Sequence, residues 1–85
     1  MRLVAVGRAG ELTGFALAGV EIASCDSPAD ADPLVAGLTD AGAAVGIVIV
    51  SPWIGRHAAR SISAARRRRG PPVIVVVPDP PSTGD

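Results

Sequence analysis

Three stretches of this sequence, Arg2–Val6 (RLVAV), Val45–Val50 (VGIVIV) and Val73–Val77 (VIVVV), carry almost no polar side chain at odd or even positions. Successive side chains of a strand point to opposite faces, so a strand with one wet face alternates apolar and polar residues. Runs that do not alternate belong in a sheet covered on both faces, which is characteristic of parallel sheets. Parallel neighbours in turn require a crossover segment, usually a helix. A fourth run, Val20–Cys25 (VEIASC), is interrupted by Glu21 and Ser24 and reads as an edge strand.

Helical patterns fill the intervals. Glu11–Ala18 places Leu12, Phe15 and Ala16 on one face and stops at Gly19, a residue suited to the left-handed turn that ends a helix. The second helix starts at Ser27–Pro28 or at Asp32–Pro33, each a capping side chain followed by a proline at the first helical position. Its apolar face is Leu34, Val35, Leu38 and Ala41, and Gly42 ends it. The third starts at Ser51–Pro52, turns Ile54, Ala58, Ile62 and Ala65 inward, and ends in an arginine run before Gly70-Pro71-Pro72. Arginines in a last turn sit favourably at the negative end of the helix dipole.

The resulting order, β-α-β-α-β-α-β with right-handed crossovers, predicts an α/β fold. Its four-stranded parallel sheet has strand order 2-1-3-4 and helices on both faces, a Rossmann-like or flavodoxin-like winding. Residues 1–78 form a single domain, and the proline-rich segment 79–85 (DPPSTGD) is expected to be a loose tail. A chain of 85 residues that is 48% apolar exceeds the needs of its own small core, so part of its apolar surface is reserved for a partner.

Charge and ligand counts exclude several classes. The formal net charge is zero, so no global field draws the chain to nucleic acid or anionic lipid. Six of the eight arginines fall at Arg56, Arg60 and Arg66–Arg69, a region without acids, and most acids precede position 41, so the surface is polarised. One cysteine (Cys25) and one histidine (His57) cannot form an internal disulfide or a conventional zinc centre, and Cys25 reads as a small core residue. No secretory signal is recognisable, and the longest uncharged apolar run, Ala41–Val50, is well short of the roughly 20 residues that span a bilayer. The expected location is the cytoplasm.

Catalytic and cofactor motifs do not assemble. The loop after the first strand reads Gly7-Arg8-Ala9-Gly10 with Gly14 beyond it, a G-x-x-G-x-x-x-G spacing where a dinucleotide-binding loop has G-x-G-x-x-G. Asp26 lies 19 positions after Gly7, near where a ribose-binding acid would stand. The glycines are better explained by a tight turn. A phosphate-accepting receiver domain needs acids after strand one and an aspartate after strand three, where this chain has Gly7-Arg8 and Ser51. Ser51 reads as a cap, Ser61 as a helix-surface residue, and His57 as a helical residue with no orienting partner, so no catalytic residue, cofactor or small-molecule substrate is expected.

Two features favour docking. Val73–Val77, with Val73, Val75 and Val77 on one parity, is an apolar strand at a sheet edge, and Trp53 after strand three is a candidate interface anchor. Packing on the first turn of the third helix is an equal reading for Trp53. The run Arg66, Arg67, Arg68 and Arg69 is a candidate site for an acidic partner, or for nucleic acid in an alternative reading as a stand-alone anion-binding module. Against nucleic acid, no aromatic residues interleave the run.

At Thr13–Val20 (TGFALAGV) the sequence resembles the F-subunit family of the V-type and archaeal-type ATPases and ATP synthases, whose members have a T-G-F-x-L-A-G type first helix. The resemblance continues through the acid-containing second helix, Val45–Val50 and the segment Pro72–Pro78 (PVIVVVP), almost the whole chain. It implies a non-catalytic central-stalk subunit with a four-stranded Rossmann-like domain, bound to an elongated coiled-coil stalk subunit and peripheral to the membrane through the complex. It implies a contribution to ATP-coupled proton or sodium transport, with hydrolysis carried out by other subunits. The family's further C-terminal helix has no matching pattern after Val77, and the arginine run is no part of the resemblance.

Overall fold

In the computed structural model, which describes residues 2–68 and 70–78, the chain alternates strands and helices as the apolar runs dictate. The elements are β1 (Arg2–Gly7), a 3-10 turn (Ala9–Glu11), α1 (Thr13–Leu17), β2 (Glu21–Ser24), α2 (Pro28–Thr39), a second 3-10 turn (Ala41–Ala43), β3 (Val45–Val50), α3 (Pro52–His57), α4 (Ala59–Arg67) and β4 (Val73–Val76). All three pairings are parallel and the strand order is β2-β1-β3-β4. The expected tail, 79–85, lies outside the described residues.

That order decides how the helices are shared between the faces. With right-handed crossovers, the step from β1 to β2 runs one way across the sheet and the steps to β3 and β4 run the other way. Hence α2, α3 and α4 share one face and α1 alone serves the other. The first face is a closed core: Val4, Val6, Val48, Val50 and Ile74 from the strands meet Ala31, Val35, Ile54, Ala58, Ile62 and Ala65 from the helices. Cys25 joins this cluster and its thiol donates to the Ser27 carbonyl at 3.1 Å.

Helix ends follow local chemistry. Gly19, at φ +83°, lets Gly19 N–H reach the Ala16 carbonyl and Val20 N–H the Phe15 carbonyl, both at 3.1 Å, which closes α1. The Ser51 hydroxyl accepts from Ile54 N–H at 3.2 Å and caps α3, with Pro52 in its first turn. Of the two alternative starts for the second helix, Ser27–Pro28 is the one used, and Pro33 is accommodated inside α2. Asp32 does cap a helix, but a different one. Its Oδ1 accepts from Ser61 N–H in the first turn of α4 at 3.0 Å, and the Ser61 hydroxyl donates back to the Asp32 carbonyl at 2.9 Å.

Several details differ from the sequence expectation. The second helix stops at Thr39, and Ala41 and Gly42 lie in the 3-10 turn after it. The first helix is only Thr13–Leu17, because Gly10 and Gly14 disfavour a longer one; Leu12 is buried but Ala16 is exposed. The third helix is broken at Ala58 (φ −120°, ψ 26°), which keeps Ile54, Ala58, Ile62 and Ala65 all buried on either side of the break. Ser61 is buried between α2 and α4, not on the surface. Asp32→Ala is accordingly expected to lower stability by about 1–2 kcal/mol through loss of the α4 cap, with Asp32→Asn restoring most of it, as read from urea midpoints.

At the β1–β2 edge, Arg2 holds Glu21 through two guanidinium nitrogens, Nε at 3.2 Å from Oε1 and Nη2 against Oε2, while Arg2 Nη1 donates to the Ala43 carbonyl at 2.7 Å. The hydrogen bonds from Arg2, aided by its charge and opposed by desolvation, hold the Glu21 carboxyl below its usual range. A depressed folded pKa means this contribution is present above the unfolded carboxylate value of about 4.3 and is lost as pH falls through the lower folded value. Glu21→Gln is expected to lower stability slightly at neutral pH and leave the acid extreme unchanged, and so to flatten the acid limb of a stability-versus-pH curve.

Candidate docking surface

At the C-terminal ends of the strands, where ligands of such sheets bind, two backbone donors of the loop after β1 are taken by the chain's own carboxylates. Glu11 Oε1 accepts from Arg8 N–H at 2.7 Å, and Asp26 Oδ1 accepts from Ala9 N–H at 3.3 Å. These are the backbone donors a phosphate would have needed. A Cβ at Gly7 would stand 3.0 Å from Leu12 Cδ2 and 3.2 Å from Ser51 Cβ, so the tip of β1 is packed against both following elements. The Arg8 guanidinium lies 5.1 Å from the centre of the Trp53 ring, whose other neighbour is His57 with ring centres 4.8 Å apart. Trp53 is half-buried against the core, the position expected of a residue packed on the first turn of α3.

The opposite face of the sheet is a different surface. Register places Ile22, Ala5, Ile49 and Val75 in one row across all four strands, and Leu3, Ile47 and Val73 in the next. Among the described residues only α1 and the Leu12 that precedes it cover this face, and Leu12 and Phe15 with Ile49 and Val77 line a hollow of about 300 Å³ at its upper end. Ala5 at the centre of the face is fully buried, but the described residues leave the β4 side open: Val73 is 60% and Val75 47% exposed, and Leu3, Ile22, Ile47 and Ile49 are half-buried. A contiguous apolar patch is a usual signature of interaction surfaces, which makes this face the candidate docking surface. Val73, Val75 and Val77 are the candidate docking residues the sequence offered; the first two lie on β4 and Val77 directly follows it. Leu3, Ile22, Ile47 and Ile49 were not singled out, although the strand order already left that face to a single short helix.

The arginine run is partly engaged within the fold. Arg66 Nη2 donates to the Ile74 carbonyl at 3.3 Å, tying α4 to β4, and Arg68 Nη2 donates to the Thr39 carbonyl at 2.8 Å, closing the last turn of α2. Arg67 is exposed on α4, and Arg69 lies outside the described residues. The run gathers at the end of the sheet opposite the loops after β1 and β3, so Trp53 and the arginines do not form one site. No group of three or more His, Cys, Asp or Glu side chains able to hold a metal ion is found among the described residues, and no described helix is long and apolar enough to cross a membrane.

No curated protein matches the chain. The family model described as ATP synthase (F/14-kDa) subunit matches residues 3–85, which takes in every described strand and helix but for Arg2, the first residue of β1. With its parallel 2-1-3-4 sheet, the chain belongs to the F-subunit family of the V/A-type ATP synthases.

Proposed function

We propose that this chain is a non-catalytic central-stalk subunit of a V/A-type ATPase or ATP synthase. It docks on an elongated coiled-coil subunit and contributes to ATP-coupled proton or sodium movement, at the cytoplasmic side of the membrane and held there by the complex. The observation that carries the reading is the apolar sheet face that the described residues leave open in a member of this family: a subunit that binds a partner needs such a face, and backbone donors at the strand ends are taken by Glu11 and Asp26. One helix of a coiled coil laid across Ile47, Ile49, Val73 and Val75 would bury these side chains at a gain of about 25 cal/mol per Å² of apolar surface.

Affinity purification of the tagged chain from detergent-solubilised native membranes tests this. The expected result is recovery of the large ATP-hydrolysing subunits together with a coiled-coil protein in equal amount. Recovery of the chain alone, with the motor intact elsewhere in the extract, would refute it.

A further inference from the structure

From Ala41 through Pro78 the sequence contains no aspartate or glutamate, whereas Arg56, Arg60, Arg66, Arg67 and Arg68 all fall there. α3, α4 and β4 come from this half, so their own side chains carry charge of one sign, and the nearest acid of α2, Asp32, is taken up as the cap of α4. Between the two helices and the edge strand β4 runs an open groove of about 390 Å³ lined by Gly55, Ala59, Ile62, Ser63, Arg66 and Val76. Its floor is low because α3 crosses close to the strand: a Cβ on Gly55 would stand 3.1 Å from Val76 Cγ1. Its ends are cationic, with Arg56 at the α3 end and Arg66, anchored on the Ile74 carbonyl, at the α4 end.

We propose that this groove is a second docking site and that its occupant is an acidic amphipathic helix of another protein. The aliphatic seam of such a helix meets Ile62 and Val76, and its flanking carboxylates meet the guanidinium groups, which bind carboxylates in a fixed fork geometry. Nucleic acid fits less well, because the groove offers no aromatic side chain for bases to stack on. A second copy of this chain fits less well too. Among its described residues, Glu11, Glu21, Asp26, Asp32 and Asp40 already accept hydrogen bonds inside their own fold, which leaves Asp30 as a single exposed carboxylate on α2 where a flanking series is needed. The groove and the apolar sheet face lie on opposite sides of β4, so a subunit seated on a stalk through the sheet face keeps the groove available to a further helix.

The test uses the full chain and a designed helical peptide of about three heptads with a leucine–alanine seam flanked by glutamates. Controls are the same peptide with lysines in place of the glutamates and an oligo-dT strand. Binding is followed by amide NMR shifts and fluorescence anisotropy. The acidic peptide should shift Gly55, Ala59 and Ser63, and weaken about tenfold between about 50 and 300 mM salt. Ser63→Trp, at an exposed position that fills the groove, and Arg56→Glu should each weaken it about tenfold, and Val75→Glu on the sheet face should leave it unchanged. Four outcomes overturn the proposal: no saturable binding of the acidic peptide, equal binding of the lysine peptide, tighter binding of oligo-dT lost with the same variants, or shifts confined to Leu3, Ile47 and Val73. None of them bears on whether the chain co-purifies with motor subunits.

Discussion

Ile54→Ala lowers the free energy of unfolding by about 2–5 kcal/mol, seen as a lower urea midpoint with an unchanged slope. Ile54 is among the largest side chains with no exposed surface, and it stands in the closed core where α3 meets the sheet. Truncation removes apolar contact and leaves a void that close-packed surroundings cannot refill, because Val50 and Ala58 beside it are themselves fully buried. For a chain of 85 residues, total stability is of the order of 4–13 kcal/mol, so this one substitution consumes a large share. Leu17→Ala is the matching control. Leu17 is 85% exposed, and its loss is expected to change stability by less than about 0.5 kcal/mol. Equal effects at the two positions would show that the core is not where the packing places it.

Val75→Glu has the opposite profile: folding is kept and docking is lost. Val75 lies on the edge strand with about half its surface in water, so a carboxylate there reaches solvent, and charged side chains are a usual means of protecting an edge. Thermal midpoints of wild type and variant are expected to agree within a few degrees. In the complex the same carboxylate is trapped against a partner's apolar seam, next to Ile49 in the row that register defines. Burying an unpaired charge costs several kcal/mol, so recovery of motor subunits by the tagged variant should fall more than about tenfold. Undiminished recovery with an intact fold would move the docking site away from this face.

The strand order, the parallel sheet and the closed core were legible because unbroken apolar runs at Val45–Val50 and Val73–Val77 admit few alternatives. Edges of elements were less so. Asp32 and Pro33 carry a valid start signal for a helix, yet the carboxylate is used by α4, a tertiary contact that a local pattern cannot reveal. The break at Ala58 has no glycine or proline to announce it. Ser61, polar and mid-helix, looked like a surface residue because its partner is 29 positions earlier. The exposed apolar edge was visible in Val73 and Val75, but the continuation of that apolar face onto Leu3, Ile22, Ile47 and Ile49 needed register, which joins residues from four separate runs into two rows. Arg66 and Arg68 were read as a charge feature and turned out to serve also as ties to backbone carbonyls.

The bare side of the sheet also bears on how much of this protein a cell can keep. A copy made in excess of its partner carries an oily plane into a crowded solution, where chaperones and proteases act on such surfaces. Supply is therefore expected to be matched to the stalk by removal of orphans, with a half-life that lengthens when the coiled-coil subunit is co-expressed.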